Sequence, residues 1–146
     1  MTPISMKTNT KPRDATKKPK QGGLSRSSSS PGTDVDRMFR AFCDRTRLRI
    51  LCLLSKHEMC VGDLVEILGS PQPTVSRHLK YLRDSGLVTV RRTRNWVHYS
   101  LVRPKSVFHE RLLECTQACF AEVPEIKKDA ARAEKVFASG GCCPLE

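Results

Sequence analysis

The sequence predicts a mainly α-helical domain that carries one small β-hairpin. Two observations support this prediction. Val75, Leu79 and Leu82 recur at intervals of four and three residues, which is the apolar stripe of an amphipathic helix. After Gly86 the pattern changes to short runs of alternating apolar and polar residues, which are typical of strands, with a charged turn between them.

The first two helices are predicted from apolar spacing. The first is expected over Asp34–Cys43, where Val35, Met38 and Phe39 fall on one face. The second is expected over Thr46–Ser55, where the run ILCLL is apolar enough to be buried. Such a core is small, and the faces of the end helices would have little to cover them. A homodimer in which the first and fifth helices pack against their symmetry mates is therefore expected.

A helix-turn-helix follows. The third helix is predicted over Val61–Leu68 and ends at Gly69, a residue that favours helix C-termini. Pro71 and Pro73 then form a rigid turn and start the fourth helix. That fourth helix, Thr74–Asp84, takes the position of a recognition helix.

The remaining elements complete the expected order. A hairpin over Leu87–Leu101 carries a cationic tip at Arg91–Asn95, and a fifth helix is opened by Pro104 and runs to about Phe120. A last, weaker helix is predicted over Ile126–Phe137. The order α1-α2-α3-α4-β-β-α5, with the hairpin as the wing, predicts a winged helix-turn-helix.

Charge and composition divide the chain into three parts. Residues 1–33 carry seven basic residues and one acidic residue with almost no large apolar side chain, so they are expected to be a disordered basic leader. That leader either solubilises the protein or tracks DNA phosphates. Residues 34–122 are the expected DNA-binding and dimerisation domain, and residues 123–146 the C-terminal helix and a cysteine-bearing tail.

The 146 residues carry a formal net charge of +11, which favours a polyanionic partner, nucleic acid first. No apolar run is long enough to span a bilayer, and the first thirty residues hold no secretory signal. A cytoplasmic protein without a membrane partner is expected, and its seven cysteines are then reduced thiols.

The expected DNA interface combines the fourth helix with the hairpin tip. A polar, donor-rich helix suits the major groove of double-stranded DNA. A cationic hairpin beside it suits phosphate or the minor groove. The predicted contact residues are Gln72, Thr74, Ser76, Arg77, His78, Lys80, Arg91, Arg92 and Arg94.

Four segments resemble the ArsR/SmtB repressors, most closely the arsenic-responsive members: FCDRTRLRILCLL, EMCVGDL, QPTVSRHLKYLRDSGLV and RNWVHYSL. The resemblance covers roughly Asp34 to Leu101. It implies a dimeric winged helix whose first and fifth helices form the dimer interface. It also implies a repressor that leaves its operator when a metal or metalloid ion, or in some branches an oxidised sulfur species, reaches cysteine or histidine ligands.

The resemblance also points to an inducer site. In the arsenic-responsive members the segment ELCVCDL supplies two thiolates at the start of the third helix. Here Cys60 matches the first ligand, but Gly62 stands at the second position. Cys142 and Cys143 follow two glycines at a loose end with no core to fill, and other branches of the family use vicinal C-terminal cysteines with an arsenical. Cys60, Cys142 and Cys143 are therefore the predicted ligands of trivalent arsenic or antimony, with no organic cofactor.

The other cysteines leave alternatives open. Cys115 and Cys119 lie one helical turn apart on the apolar face, where they either pack at an interface or share one soft ion. Cys43 and Cys52 are expected to pack as small hydrophobic residues. A zinc site is disfavoured because no C-x-x-C is present and the fifth helix offers few suitable ligands.

The predicted function is a repressor released from its operator by a thiol-binding inducer. One alternative is a thiol-oxidation or persulfide sensor that uses Cys52 with Cys115 or Cys119. Another is a constitutive DNA-binding protein whose cysteines have no role. An enzyme is not expected, because the sequence has no phosphate-cradling glycine loop, no paired carboxylates in an apolar setting and no cysteine–histidine nucleophile.

Overall fold

The computed structural model describes residues 31–141 and residue 143. This part of the chain forms six helices and three strands, in the order expected for a winged helix-turn-helix. The elements are α1 Pro31–Phe42, α2 Arg45–Leu54, β1 Met59–Cys60, α3 Val61–Leu68, α4 Gln72–Asp84, β2 Val88–Thr93, β3 Trp96–Leu101, α5 Val107–Phe120 and α6 Pro124–Ala138. Within it, no helix has the length and apolar character needed to cross a membrane.

The helix-turn-helix forms as its turn residues predict. Gly69 ends α3 in the left-handed conformation, with φ of 61°, and its N–H donates to the carbonyl of Val65. Pro73 lies in the first turn of α4, where its missing N–H costs nothing. Helix α4 starts at Gln72, two residues earlier than predicted, because Pro71 is its N-cap and Pro73 fits within its first turn.

The core lies beneath α2, α3 and α4. Its largest buried side chains come from the predicted apolar stripes, which confirms the periodicity argument. They include Ile50, Leu51, Leu64, Ile67, Val75, Leu79 and Leu82. Helix α4, the predicted recognition helix, is therefore fixed on its apolar side, and its polar side faces outward.

The wing belongs to a three-stranded antiparallel sheet of order β1-β3-β2. Strand β1 was not predicted from the sequence, and it pairs with β3 so that Cys60 faces His98 in register. The tight turn between β2 and β3 places Arg94 at a φ of 54°. The sheet joins the start of α3 directly to the wing.

Helix α6 packs on α2 and α3. Ala133 and Val136 are buried on its inner face, and the nearly inaccessible Asp129 accepts hydrogen bonds from the guanidinium of Arg49 at 2.6 and 2.7 Å. Arg132 donates to the carbonyl of Ile67, which joins α6 to the last turn of α3. Helix α6 begins at Pro124, two residues before the predicted start at Ile126, because a proline is well accommodated in the first turn of a helix.

Helices α1 and α5 leave an apolar face uncovered. Phe39 on α1 is 49% exposed and Val107 on α5 is 70% exposed. The rings of Phe39 and Phe108 pack against each other with centroids 5.2 Å apart. Helix α5 begins at Val107, capped by Ser106, rather than at Pro104 as predicted.

Candidate nucleic-acid interface and thiolate site

The outer face of α4 presents most of the predicted DNA-contacting residues. Gln72, Ser76 and Arg77 are exposed, whereas Thr74 is half-buried. His78 is also half-buried, and its Nδ1 lies 3.6 Å from a carboxylate oxygen of Asp44, the residue that caps α2. Which of these side chains contact DNA stays a prediction.

The wing places a second group of cations beside that helix. Arg91, Arg92 and Arg94 are exposed. Arg91 forms an ion pair with Glu58, at 3.0 Å, just before β1. Lys80 on α4 similarly pairs with Asp84 one turn later. These exposed pairs are weak in water, so both cations can exchange their partner for a phosphate.

Cys60 is the N-cap of α3. Its Sγ accepts a hydrogen bond from the N–H of Asp63 at 3.4 Å, and the Asp63 carboxylate accepts one from the N–H of Cys60 at 3.1 Å. This reciprocal arrangement is a capping box, which satisfies two N–H groups that the helix itself cannot pair. The spacing Cys-x-x-Asp could have revealed this role from sequence.

Cys143 lies beside that cap. The ligand atoms of Cys60, Asp63 and Cys143 all lie within 4.8 Å of one another, and all three residues are buried. Two of the three predicted inducer ligands are thus brought together, and Cys142 lies outside the described residues. Asp63 is the member that sequence reasoning missed.

The tail reaches this position through two glycines. Gly140 and Gly141 have φ of 98° and 64°, a region that other residues rarely adopt. The N–H of Gly141 donates to the carbonyl of Val136 at 2.8 Å, which turns the chain back over the end of α6. A loose end was predicted for Cys143, and that prediction is wrong because this turn and the docked α6 bury it.

Cys52 is not fully packed in the core as expected. It is half-buried and lines a cavity of about 420 Å³ between α2, α5 and α6. Burial, assisted by the negative charge of Asp129, raises the pKa of its thiol to about 11. Because the thiolate is the reactive form, this environment does not favour the alternative in which Cys52 senses oxidants or persulfide.

Cys115 and Cys119 are exposed, and so is Cys43, which was expected to pack. The Sγ of Cys115 donates to the Sγ of Cys119 across 3.6 Å, and this hydrogen bond raises the pKa of Cys115. The pair is available to solvent in the single chain.

Comparison with known proteins places this geometry in context. The family described as "Bacterial regulatory protein, arsR family" matches residues 44–90. The chain is 39% identical over 97 residues to the arsenical resistance operon repressor of Escherichia coli strain K12, which covers 65% of this chain and 83% of that repressor.

Two solved structures share the fold. HlyU from Vibrio cholerae N16961 superposes with a TM-score of 0.55 at 30% identity, covering 62% of this chain and 96% of that one. The homodimeric winged helix-turn-helix DNA-binding domain of Mb0332 from Mycobacterium bovis gives a TM-score of 0.53 at 27% identity, covering 66% and 91%.

Proposed function

The chain belongs to the ArsR family of bacterial transcriptional regulators, which are DNA-binding proteins and not enzymes, and from this premise we propose that it is a repressor released from its operator by trivalent arsenic or antimony. The observation that carries the proposal is the close approach of Cys143 to Cys60. The similarity to an arsenical resistance operon repressor supports the same class of inducer.

Operator binding uses the exposed side of α4 and the wing. Arg77 is exposed in the middle of α4, where a guanidinium can make two hydrogen bonds to the edge of a guanine. Arg92 and Arg94 at the wing suit phosphate contacts, which give affinity without sequence preference.

A homodimer presents two such units to the operator. The uncovered face that contains Phe39 and Val107 supplies apolar surface for a two-fold contact. The related domain from Mycobacterium bovis is homodimeric, which supports the same assembly here. Two recognition helices related by a two-fold axis suit a pseudo-palindromic site.

The inducer binds through three thiolates, from Cys60, Cys142 and Cys143. Soft thiolates are the ligands that suit a thiophilic centre, whereas the Asp63 carboxylate is a hard ligand. Arsenous acid condenses with three thiols to give one arsenic–trithiolate centre and three water molecules, so no oxidant or reductant takes part. Cys142 adjoins Cys143 in sequence and supplies the third sulfur.

Release follows from the role of Cys60 in the fold. An arsenic–sulfur bond engages the sulfur that caps α3, and losing a helix cap costs about 1 kcal/mol. The same residue pairs with β3, which forms half of the wing. The inducer therefore acts on the start of α3, the helix that precedes α4 in the helix-turn-helix, and on one strand of the wing. It shifts the protein off DNA only to the extent that it binds the DNA-free state more tightly.

The test uses full-length protein and a fluorescent duplex selected from a random pool by that protein. Arsenite or antimonite should release the wild-type complex. Cys143→Ser and, separately, removal of residues 141–146 should preserve DNA affinity but raise the arsenite concentration needed for release by about 100-fold, because the chelate is lost.

Cys142→Ser tests the third ligand in the same way, and Cys43→Ser is the matched control, since Cys43 is an exposed thiol outside the cluster. Release of the Cys143→Ser complex at the wild-type arsenite concentration would overturn the site. Failure of both arsenite and antimonite to release the wild-type complex would overturn the inducer.

A further inference from the structure

We propose that α6, together with the start of α2, contacts phosphates of the DNA backbone beside the base pairs that α4 reads. The contacting side chains are Lys128 and Arg132 on α6 and Arg45 on α2. Helix α6 lies outside residues 44–90, the part of the chain that matches the family. The inference rests on the operator binding proposed above and not on the identity of the inducer.

A groove between the start of α2, the end of α3 and α6 carries excess positive charge. It has a volume of about 500 Å³, and four basic and two acidic side chains line it. The carboxylate of Asp129 is buried against the guanidinium of Arg49, and Glu125 pairs with the same arginine. Because both carboxylates already have cationic partners, Lys128 and Arg132 are left to attract an anion.

Lys128 and Arg132 belong to a cationic stripe along α6. Both are exposed and stand four residues apart, and the exposed Lys135 follows three residues later, so the three share one face of the helix. Arg132 donates to the carbonyl of Ile67, in the last turn of α3, at 3.2 Å. A neutral carbonyl leaves the charge of the guanidinium and its other donors available, and these suit a phosphate.

The groove lies close to the start of α4. Leu68, the last residue of α3, lines it, and Gln72, the first residue of α4, follows four residues later. Four residues of fully extended chain span at most about 14 Å. The major groove of DNA is about 12 Å wide. Cations beside Leu68 can therefore reach the phosphates that border a groove occupied by α4.

The start of α2 connects the same groove to α4. Asp44 caps α2, and its carboxylate lies 3.6 Å from Nδ1 of His78 on α4. The next residue, Arg45, lines the groove and forms an exposed ion pair with Glu125. Such a pair is weak in water, so Arg45 can exchange its partner for a phosphate.

The docking geometry of a helix-turn-helix favours this side of the molecule for backbone contacts. Its first helix crosses the phosphate backbone, while the second lies in the major groove. Here the first helix is α3, and Arg132 joins α6 to its last turn. The cationic stripe therefore extends a surface that already faces phosphates, which makes DNA the polyanion that fits it.

The test measures affinity against salt concentration, with full-length protein and the selected fluorescent duplex. Lys128→Gln combined with Arg132→Gln should reduce the slope of log affinity against log salt by about 2, because two phosphate contacts are lost. Affinity for random duplexes should fall by the same factor, since phosphates carry no sequence information.

Lys56→Gln combined with Lys127→Gln is the matched control. It removes the same charge from exposed lysines that line the separate cavity between α2, α5 and α6. Its slope should equal that of wild type. Because Arg132→Gln also alters a hydrogen bond to α3, Lys128→Gln alone is measured too, and it should reduce the slope by about 1.

Neutral methylphosphonates, placed one at a time along both flanks of the duplex, locate the contact. At the contacted positions they should weaken binding of wild type and of the control pair. They should cause no further loss in the protein that carries Lys128→Gln and Arg132→Gln, because the two changes remove the same contact.

Equal slopes in the α6 variant and the control pair would overturn the proposal, since net charge and not contact would then set the affinity. Full sensitivity of the α6 variant to every flanking methylphosphonate would overturn it as well. Neither measurement uses arsenite, so both results leave the proposed inducer untouched. Failure of the wild-type protein to select any duplex would overturn operator binding itself, and this surface with it.

Discussion

At the scale of single residues, His109 is a histidine whose charged form is disfavoured by the fold. This side chain on α5 is 1% exposed, and neither ring nitrogen has a hydrogen-bond partner in the described part of the chain. Burial, and then the positive charge of Lys105, lower its pKa below the ordinary value of 6.5. The fold thus favours the neutral form of His109, and protonating it favours unfolding.

This predicts that stability decreases as the pH falls. Because the folded-state pKa is depressed, the stabilisation is complete above about pH 6.5 and is lost progressively as the pH approaches the lower, folded-state value. Urea unfolding at pH 8 and pH 5 should show a larger loss for wild type than for His109→Leu. His57→Leu, at an exposed histidine, should retain the wild-type loss. Equal losses in wild type and His109→Leu would contradict the assignment.

At the scale of elements, α6 connects the cysteine tail to α2 and α3. The ion pair between Arg49 and Asp129 joins α6 to α2 across 80 residues of sequence, with side chains 12% and 2% exposed. Arg49 also pairs with Glu125 at 3.2 Å. Such a pair is costly to break on one side, because the remaining charge stays buried.

Asp129→Ala should therefore lower the free energy of unfolding by about 3 kcal/mol, measured by urea denaturation. Replacing both partners, as in Arg49→Met with Asp129→Leu, should recover most of that loss because no buried charge is left alone. Lys127→Ala removes the exposed pair with Glu122 and should cost less than about 1 kcal/mol. An Asp129→Ala variant as stable as Lys127→Ala would show that the pair does not hold α6.

The sequence predicted the elements that rest on local patterns and missed those that rest on distant contacts. The stripe through Leu79 and the turn at Gly69 are local, and both were predicted correctly. Strand β1 exists only because β3 pairs with it, and two residues give no periodic signal. The burial of Cys143 depends on α6 and on the glycine turn, so a pattern along the chain could not show it.

At the scale of the whole molecule, an exposed apolar face coexists with a strongly basic chain. Phe39 and Val107 expose 49% and 70% of their surface on α1 and α5, while the chain carries a net charge of +11. Like charges oppose association, so the apolar face must supply the attraction in a dimer. A dimer holds two recognition helices, and binding of the first half-site raises the effective concentration of the second.

Phe39→Glu should therefore separate the subunits, because it places a charge in the apolar contact. Sedimentation should give the mass of a single chain, and affinity for the selected duplex should fall by about 100-fold as the second half-site contact is lost. Affinity for random duplexes should change much less, since the phosphate contacts proposed for Arg92 and Arg94 remain in each chain. Trp96→Gln, at an exposed aromatic residue on the wing, should leave the mass at that of a dimer. A Phe39→Glu protein that sediments as a dimer would place the subunit contact elsewhere on the surface.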